Sequence, residues 1–309
     1  MRRARARVTQ MEPLQSCPPV STALQSWTRR RLLRGVAACA SWLGPAGSGA
    51  VGAAPPVCRI GVTPVTLEDR VGLLRRWAAY LTDALGRDVR LVPFAGYQRV
   101  LEALERSELE AAWLCGYPYI LRRARLRLVA VPLWHGQPLY QGYVIVREDS
   151  PWQDLRDLRG GIFAYADPLS NSGYLVVRHG LAGMGFEPDR FFGRTFFTHA
   201  HRHVIDAVAD GLADGGAVDG YVWEVLREMR GARGLRTRVI WRSDWHGFPP
   251  VVCSASVSEA LRLGLQRALI GMSASEAGQR ILSDLYLDAF VAGDPGWYRS
   301  IERMAGVAG

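Results

Sequence analysis

Residues 167–181 read DPLSNSGYLVVRHGL, and the fold turns on how this stretch is read. Pro168 opens a turn. Ser170, Asn171, Ser172 and Gly173 follow, four small polar residues without a charge. An apolar-rich segment of helical character then runs from Tyr174 to Leu181. Just upstream, GIFAYADP (161–168) has the apolar character of a buried strand. Strand, polar turn and helix in succession make an α/β unit. One Ser or Asn is enough to cap a helix, so three hydrogen-bonding side chains and a glycine exceed what the helix needs. A helix start carries unpaired N–H groups and a partial positive charge. Neutral donors there, with a glycine that permits close approach, suit an oxyanion that must later be released. A simple N-cap followed by flexible residues is the competing reading.

Working outward, the same alternation covers the chain from residue 57. Strand-like CRIGVTP (58–64) precedes a helical pattern at 67–86, with Val71, Leu74, Trp77, Ala78, Leu81 and Leu85 on one face and Gly86 as its stop. DVRLVPF (88–94), EAAWLCG (110–116) and RLVAVPLW (127–134) read as strands, with helices at 97–109 and 118–126 between them. This order predicts a largely parallel sheet. LYQGYVIVRED (139–149) reads as a strand of alternating character. The pattern then restarts: a short helix at 152–160, the 161–168 strand, a helix at 172–185, a strand at 194–199, a helix at 203–215, a short strand at 216–221, a helix at 222–231 and a strand at 236–243. Beyond GFPPVVCSAS the chain reads as mostly helical, over 257–270, 274–284 and 294–305. Two α/β units of similar size imply two lobes, with lobe one formed by 55–138 and 246–309 and lobe two by 139–245. The chain is expected to cross near 135–142 and return near 243–250.

The charge of +9 suggests a polyanion binder until it is located. Residues 1–34 hold eight of the 38 basic residues and one of the 29 acidic ones, leaving 30 and 28 elsewhere, a net of +2. Nucleic-acid binding loses its support. The segment TRRRLLRGVAACASWLGPAGSGAVGAAPP has paired arginines, a short apolar run and then small residues, the layout of an export signal of the twin-arginine kind. Residues 1–54 are therefore expected to be an export signal and its cleavage region, with cleavage after Ala50 or Ala53. Val36-Ala37-Ala38-Cys39 also resembles a lipoprotein box, which makes Cys39 a candidate lipid anchor. Cys58, Cys115 and Cys253 lie in apolar runs and read as buried free thiols.

No nucleophile elbow, P-loop, dinucleotide-binding turn or H-E-x-x-H is present. HAHRH (His199, His201, His203) is the one metal-like cluster, but no nearby fourth ligand is evident, so no metal and no cofactor are expected.

WLCGYPY (113–119), ADPLSNSGYLVVR (166–178) and HAHRHVIDAVADGLADGGAVDGYVWE (199–224) together resemble the phosphate/phosphite/phosphonate substrate-binding proteins of ABC transporters. The resemblance covers about residues 58–290. It implies the type II periplasmic-binding fold: an α/β protein of two lobes, each a mixed sheet flanked by helices, closing on a ligand at the hinge. By position it implies anion contacts from Ser170, Asn171 and Ser172 with Gly173 beside them, a binding histidine at His201, and a first-lobe aromatic at Tyr117 with Tyr119 next to it. The middle serine-loop position is often Thr in that family and is Asn here. Further candidates are Thr63 or Thr66 in the turn after the first strand, where an aromatic is missing, Asp219 and Glu224 as carboxylates for an amine, and Trp223 as a cleft wall or a core residue. A second carboxylate position falls near Asp244, Trp245 and His246. The implied function is periplasmic capture of a small anionic ligand and its delivery, by a monomer, to an inner-membrane permease, without catalysis. A ligand sensor of the same fold is the alternative, followed by a hydrolase built on the histidine cluster.

Overall fold

The computed structural model describes residues 57–63, 71–231 and 234–307. The segment expected to be an export signal, its expected cleavage positions, Cys39 and Thr66 lie outside the described residues.

The first half of lobe one runs β1 (Cys58–Val62), α1 (Val71–Leu85), β2 (Val89–Pro93), α2 (Tyr97–Glu105), β3 (Ala111–Trp113), α3 (Gly116–Leu121) and β4 (Leu126–Leu133). Two short strands, β5 (Leu139–Tyr140) and β11 (His246–Gly247), pair antiparallel where the chain leaves this half and returns to it. Between them lie β6 (Gly142–Arg147), β7 (Ile162–Tyr165), α4 (Val176–Gly183), α5 (Pro188–Phe191), β8 (Arg194–Phe197), α6 (His201–Ala209), β9 (Gly215–Asp219), α7 (Gly220–Arg230) and β10 (Thr237–Arg242). The chain ends with β12 (Val251–Ser254), α8 (Glu259–Ile270), α9 (Glu276–Asp284), β13 (Ala289–Ala292) and α10 (Arg299–Met304).

The first sheet has the order β13-β4-β12-β3-β1-β2 and the second β10-β6-β9-β7-β8. Both are mixed, which corrects the largely parallel expectation. β1 pairs parallel with β2 and β3, but the returning β12 inserts antiparallel between β3 and β4. A strand re-entering from the other lobe meets the sheet from the opposite end, so it must run against its neighbours. β13 adds a further antiparallel edge in the gap between the helices read at 274–284 and 294–305.

Local differences from the sequence reading have packing causes. The buried face of α1 is Leu73, Trp77 and Leu81, spaced four apart, while Val71 is 61% exposed. Trp77 meets Trp113 and Phe290 edge-on or tilted at 5.8 and 6.3 Å, an aromatic centre for the first sheet. Residues 152–160 form only a 3-10 turn, Leu155–Leu158, closed by reciprocal capping between Asp154 and Asp157. β6 is buried on both faces instead of alternating. Tyr143 and Ile145 join the core shared with lobe one, and Val144 and Val146 join the core under Phe163, Tyr165 and Phe192. Beside the β5–β11 ribbon, Tyr221 donates to Leu285 O at 2.6 Å and Tyr298 to Phe248 O at 2.8 Å, so the crossing is firmly packed.

Candidate functional site

Residues 167–181 do two jobs in sequence. Ser170 has an extended backbone, and its Oγ accepts from Gly173 N at 2.9 Å, so Ser170 alone is the cap. The next turn, Asn171–Leu175, is π-helical: Leu175 N reaches back to Ser170 O at 3.0 Å. That widened turn leads into α4. Asn171 and Ser172 are left over by the capping, and both are fully buried. Gly173 is required by close packing. A Cβ there would stand 2.4 Å from Ala166 Cβ and 3.1 Å from His201 Cε1. That second approach places the 170–173 turn against the start of α6.

Three strand ends of the second sheet converge here. After β7 comes the Ser170 turn, after β8 comes His201 at the start of α6, and β9 ends in Asp219, which caps α7. The carboxyl ends of strands in α/β sheets are where ligands bind. Asp219 Oδ1 accepts from Tyr221 N at 2.9 Å and Val222 N at 3.4 Å. Asp219 N donates to His201 Nδ1 at 3.1 Å. That bond leaves the neutral imidazole its proton on Nε2, which is therefore a donor. Burial pushes the His201 pKa down to about 3, so the ring stays neutral. Burial pushes Asp219 up to about 7, against the pull of its two backbone hydrogen bonds.

Lobe one closes over this surface. Asp167 Oδ2 accepts from Tyr97 N, the first residue of α2, at 3.3 Å. Asn171 N donates to Cys115 Sγ at 3.2 Å, and Asn171 Nδ2 donates to Tyr140 Oη at 3.1 Å. The Tyr140 hydroxyl also faces Ser172, but no hydrogen bond of acceptable distance and angle forms. Among the described residues, four buried side-chain atoms without a hydrogen-bond partner belong to the segments that meet here: Tyr97 Oη, Asn171 Oδ1, Ser172 Oγ and Asp219 Oδ2. Each unsatisfied buried group costs roughly 1–3 kcal/mol. Their concentration where these segments meet makes this the candidate ligand site.

The other candidates make contacts of their own. Thr63 Oγ1 donates to Trp113 O at 3.1 Å at the end of β1. Tyr117 is half-buried in α3, which packs on the 171–175 turn. Tyr119 is buried edge-on against Tyr298 at 5.1 Å, beneath α10. Trp223 donates to Thr237 Oγ1 at 3.1 Å, with Tyr143 and Arg227 packed on its ring, and belongs to the core shared with lobe one. Glu224 is half-buried beside Arg227 at 3.7 Å. His246 donates to or accepts from Ser300 Oγ at 2.8 Å, and Asp244 and Trp245 are exposed. The three histidines diverge: His199 and His203 are exposed and His201 is buried. Among the described residues no group of three or more metal-binding side chains assembles.

Sequence reasoning missed Tyr97, Cys115 and Tyr140. Gly96-Tyr97 at a helix start was the available signal. An aromatic was sought after β1, and the chain delivers one after β2.

Over residues 60–298 the chain matches the family described as ABC transporter, phosphonate, periplasmic substrate-binding protein. The chain belongs to this family. Among curated proteins it is similar to the phosphonates-binding periplasmic protein of Escherichia coli (strain K12). The two are 24% identical over 208 residues, which is 64% of this chain and 61% of that protein's length. Among solved structures it resembles a binding protein component of an ABC phosphonate transporter from Pseudomonas aeruginosa. That match has a TM-score of 0.74 and 22% identity and covers 81% of this chain and 85% of that one. It also resembles PhnD1 from Prochlorococcus marinus (MIT 9301), solved with methylphosphonate. There the TM-score is 0.73 and the identity 18%, over 81% of this chain and 97% of that one. The family's fold is the two-lobed type II periplasmic-binding fold expected from the sequence.

Proposed function

We propose that this chain captures a small phosphorus oxyanion, of the phosphonate, phosphite or phosphate class, and delivers it to an inner-membrane ABC permease. The observation that carries this is the cluster of buried, unpartnered polar atoms contributed by both lobes where they meet. Ser172 Oγ, the Nε2–H of His201 and Tyr97 Oη supply neutral donors. Asn171, Gly173 and Asp219 complete the lobe-two wall, and Tyr117 is its half-buried neighbour on lobe one. Neutral donors hold an anion through short hydrogen bonds without the grip of a buried ion pair, which suits a carrier that must let go. Because both lobes contribute, the ligand favours the closed state over an open one, and closure is the signal a permease can read. Binding and release need no covalent step, so the chain acts as a carrier and not as an enzyme. Export by the twin-arginine route, with a monomer as the working form, completes the proposal.

A thermal-shift screen of phosphate, phosphite, alkylphosphonates, aminoalkylphosphonates, sulfate and taurine tests it. A ligand that binds only the folded chain raises the melting temperature. A shift with a phosphorus oxyanion is expected, reduced in Ser172→Ala by about 1–3 kcal/mol of binding energy. Silence across the phosphorus compounds would overturn the reading.

A further inference from the structure

Helix α2 of lobe one starts without a cap of its own. Its N-cap is Gly96, which has no side chain to offer, and the N–H of its first residue, Tyr97, finds no acceptor within the helix. The acceptor comes from lobe two, 70 positions away: Asp167 Oδ2 takes the Tyr97 N–H at 3.3 Å. Gly96 shapes the seat. Its φ of 111° is one that side chains rarely adopt, and a Cβ there would stand 3.1 Å from Asp167 Oδ2. Asp167 is only 5% exposed. A carboxylate so buried must be paired, and the positive end of a nine-residue helix is a fitting partner.

The same residue roots the polar turn. Asp167 Oδ1 accepts from Leu169 N at 2.8 Å, and Asp167 O accepts from Ser170 N at 2.9 Å. One carboxylate oxygen therefore serves lobe two's own loop, and the other serves lobe one. Tyr97 divides its groups in the same way. Its backbone N–H is tied to the loop that presents Ser172, and its buried hydroxyl has no partner.

We infer that Asp167 is a positioning residue of this carrier: it caps α2 across the lobe interface only when the lobes are together, and so fixes Tyr97 against the Ser170–Ser172 turn. The inference rests on the oxyanion reading above and adds that part of the affinity is set by a contact between lobes that never touches the ligand. When the lobes part, Asp167 Oδ2 and Tyr97 N each return to water. The net gain on closure is that of one charge-assisted hydrogen bond at a helix end. The contact forms after encounter, so it slows release and leaves capture alone. His199 does not share this role. Its Nδ1 stands 3.7 Å from Asp167 Oδ2, outside hydrogen-bond range, and its side chain is mostly exposed.

Asp167→Asn separates the two jobs. An asparagine carbonyl still accepts from Leu169 N and keeps the loop. Its amide nitrogen then faces Tyr97 N, donor against donor, and the charge is gone. Stopped-flow binding of methylphosphonate to the full chain should show release about tenfold faster in the variant, with the association rate within about twofold of wild type. Amide hydrogen exchange gives the second readout. The Tyr97 N–H sits where helix amides are ordinarily open to solvent, yet it should exchange on the order of tenfold more slowly in wild type than in the variant. Wild-type release from the variant, or a loss confined to melting temperature, would overturn the inference and leave the oxyanion site intact. Failure of every phosphorus oxyanion to bind would remove the oxyanion reading. The cap across the lobes would then stand or fall on Tyr97 exchange in the ligand-free chain, where equal rates in wild type and variant would overturn it. If Asp167→Asn does not fold, wild type decides alone: exchange of the Tyr97 amide at the free-peptide rate with methylphosphonate bound would overturn the inference.

Discussion

At the ends of β7, β8 and β9, lobe two presents Ser170, Asn171, Ser172, His201 and Asp219. At the ends of β1, β2 and β3, lobe one presents Thr63, Tyr97, Cys115 and Tyr117. The two lobes use the same α/β edge, yet they load it differently. Lobe two supplies short polar side chains tied to helix starts: Ser170 caps its own turn, Asp219 caps α7, and His201 is locked to Asp219 N. Lobe one supplies aromatic hydroxyls and a thiol, with no side-chain cap of its own on α2 or α3. Its helix α2 instead borrows Asp167 from the other lobe. Lobe two therefore ties its polar groups into its own helix starts, and lobe one is completed only by meeting them. The groups that lobe two spends on its own folding are distinct from those it leaves unpartnered, which makes the comparison open to test.

The largest effect is expected at Asp219. Its pKa is raised from 3.8 to about 7 in the fold, so the folded chain binds more protons than the unfolded chain between those values. That contribution to stability is present below the lower value and is lost as pH rises through the upper one. In ligand-free protein, Asp219→Asn should remove this loss, gaining on the order of 4 kcal/mol over wild type above neutrality. Chemical denaturation across pH checks it, and an unchanged pH profile would place a partner on Oδ2. His201 and His246, pushed down to about 3 and about 4, act in the opposite sense. They lower stability as pH falls below their unfolded value toward those pKa values.

Gly173→Ala comes next. A methyl 2.4 Å from Ala166 Cβ must force the turn and His201 apart, costing about 1–3 kcal/mol or more of stability together with ligand binding. Retained melting temperature and affinity would show that the turn is looser than drawn. Tyr97→Phe should weaken oxyanion binding by about 1–3 kcal/mol while leaving stability unchanged or slightly raised, because its hydroxyl has no partner in the empty fold. A stability loss without a binding loss would turn lobe one's contribution into mere packing. The smallest effect is expected at Trp223→Phe. Losing the bond to Thr237 should cost about 0.5–1.5 kcal/mol of stability, with affinity unchanged.

Much of this was legible in sequence because it is local. The strand-turn-helix reading at 161–181, the polar excess at Ser170–Ser172 and the helix just after His201 follow from neighbours a few residues apart. The edges of the reading failed where distant chain intervenes. β12 enters the first sheet from beyond lobe two, and β6 is covered on a second face that its alternation did not announce. At the site, sequence marks Asn171 as a donor. In the fold an amide hydrogen goes to Tyr140, 31 positions away, and its buried oxygen has no partner.

The sequence by itself determined the α/β class, the two-unit organisation and the polar helix start at Ser170–Ser172, since periodicity, turn chemistry and capping act over a few residues. Tertiary structure decided which polar atoms are spent and which are left for a ligand. That division depends on contacts such as Tyr97 with Asp167 and Asn171 with Cys115, made between residues 70 and 56 positions apart. Hydrogen-bond satisfaction is settled by those long-range pairings, and no local pattern encodes them.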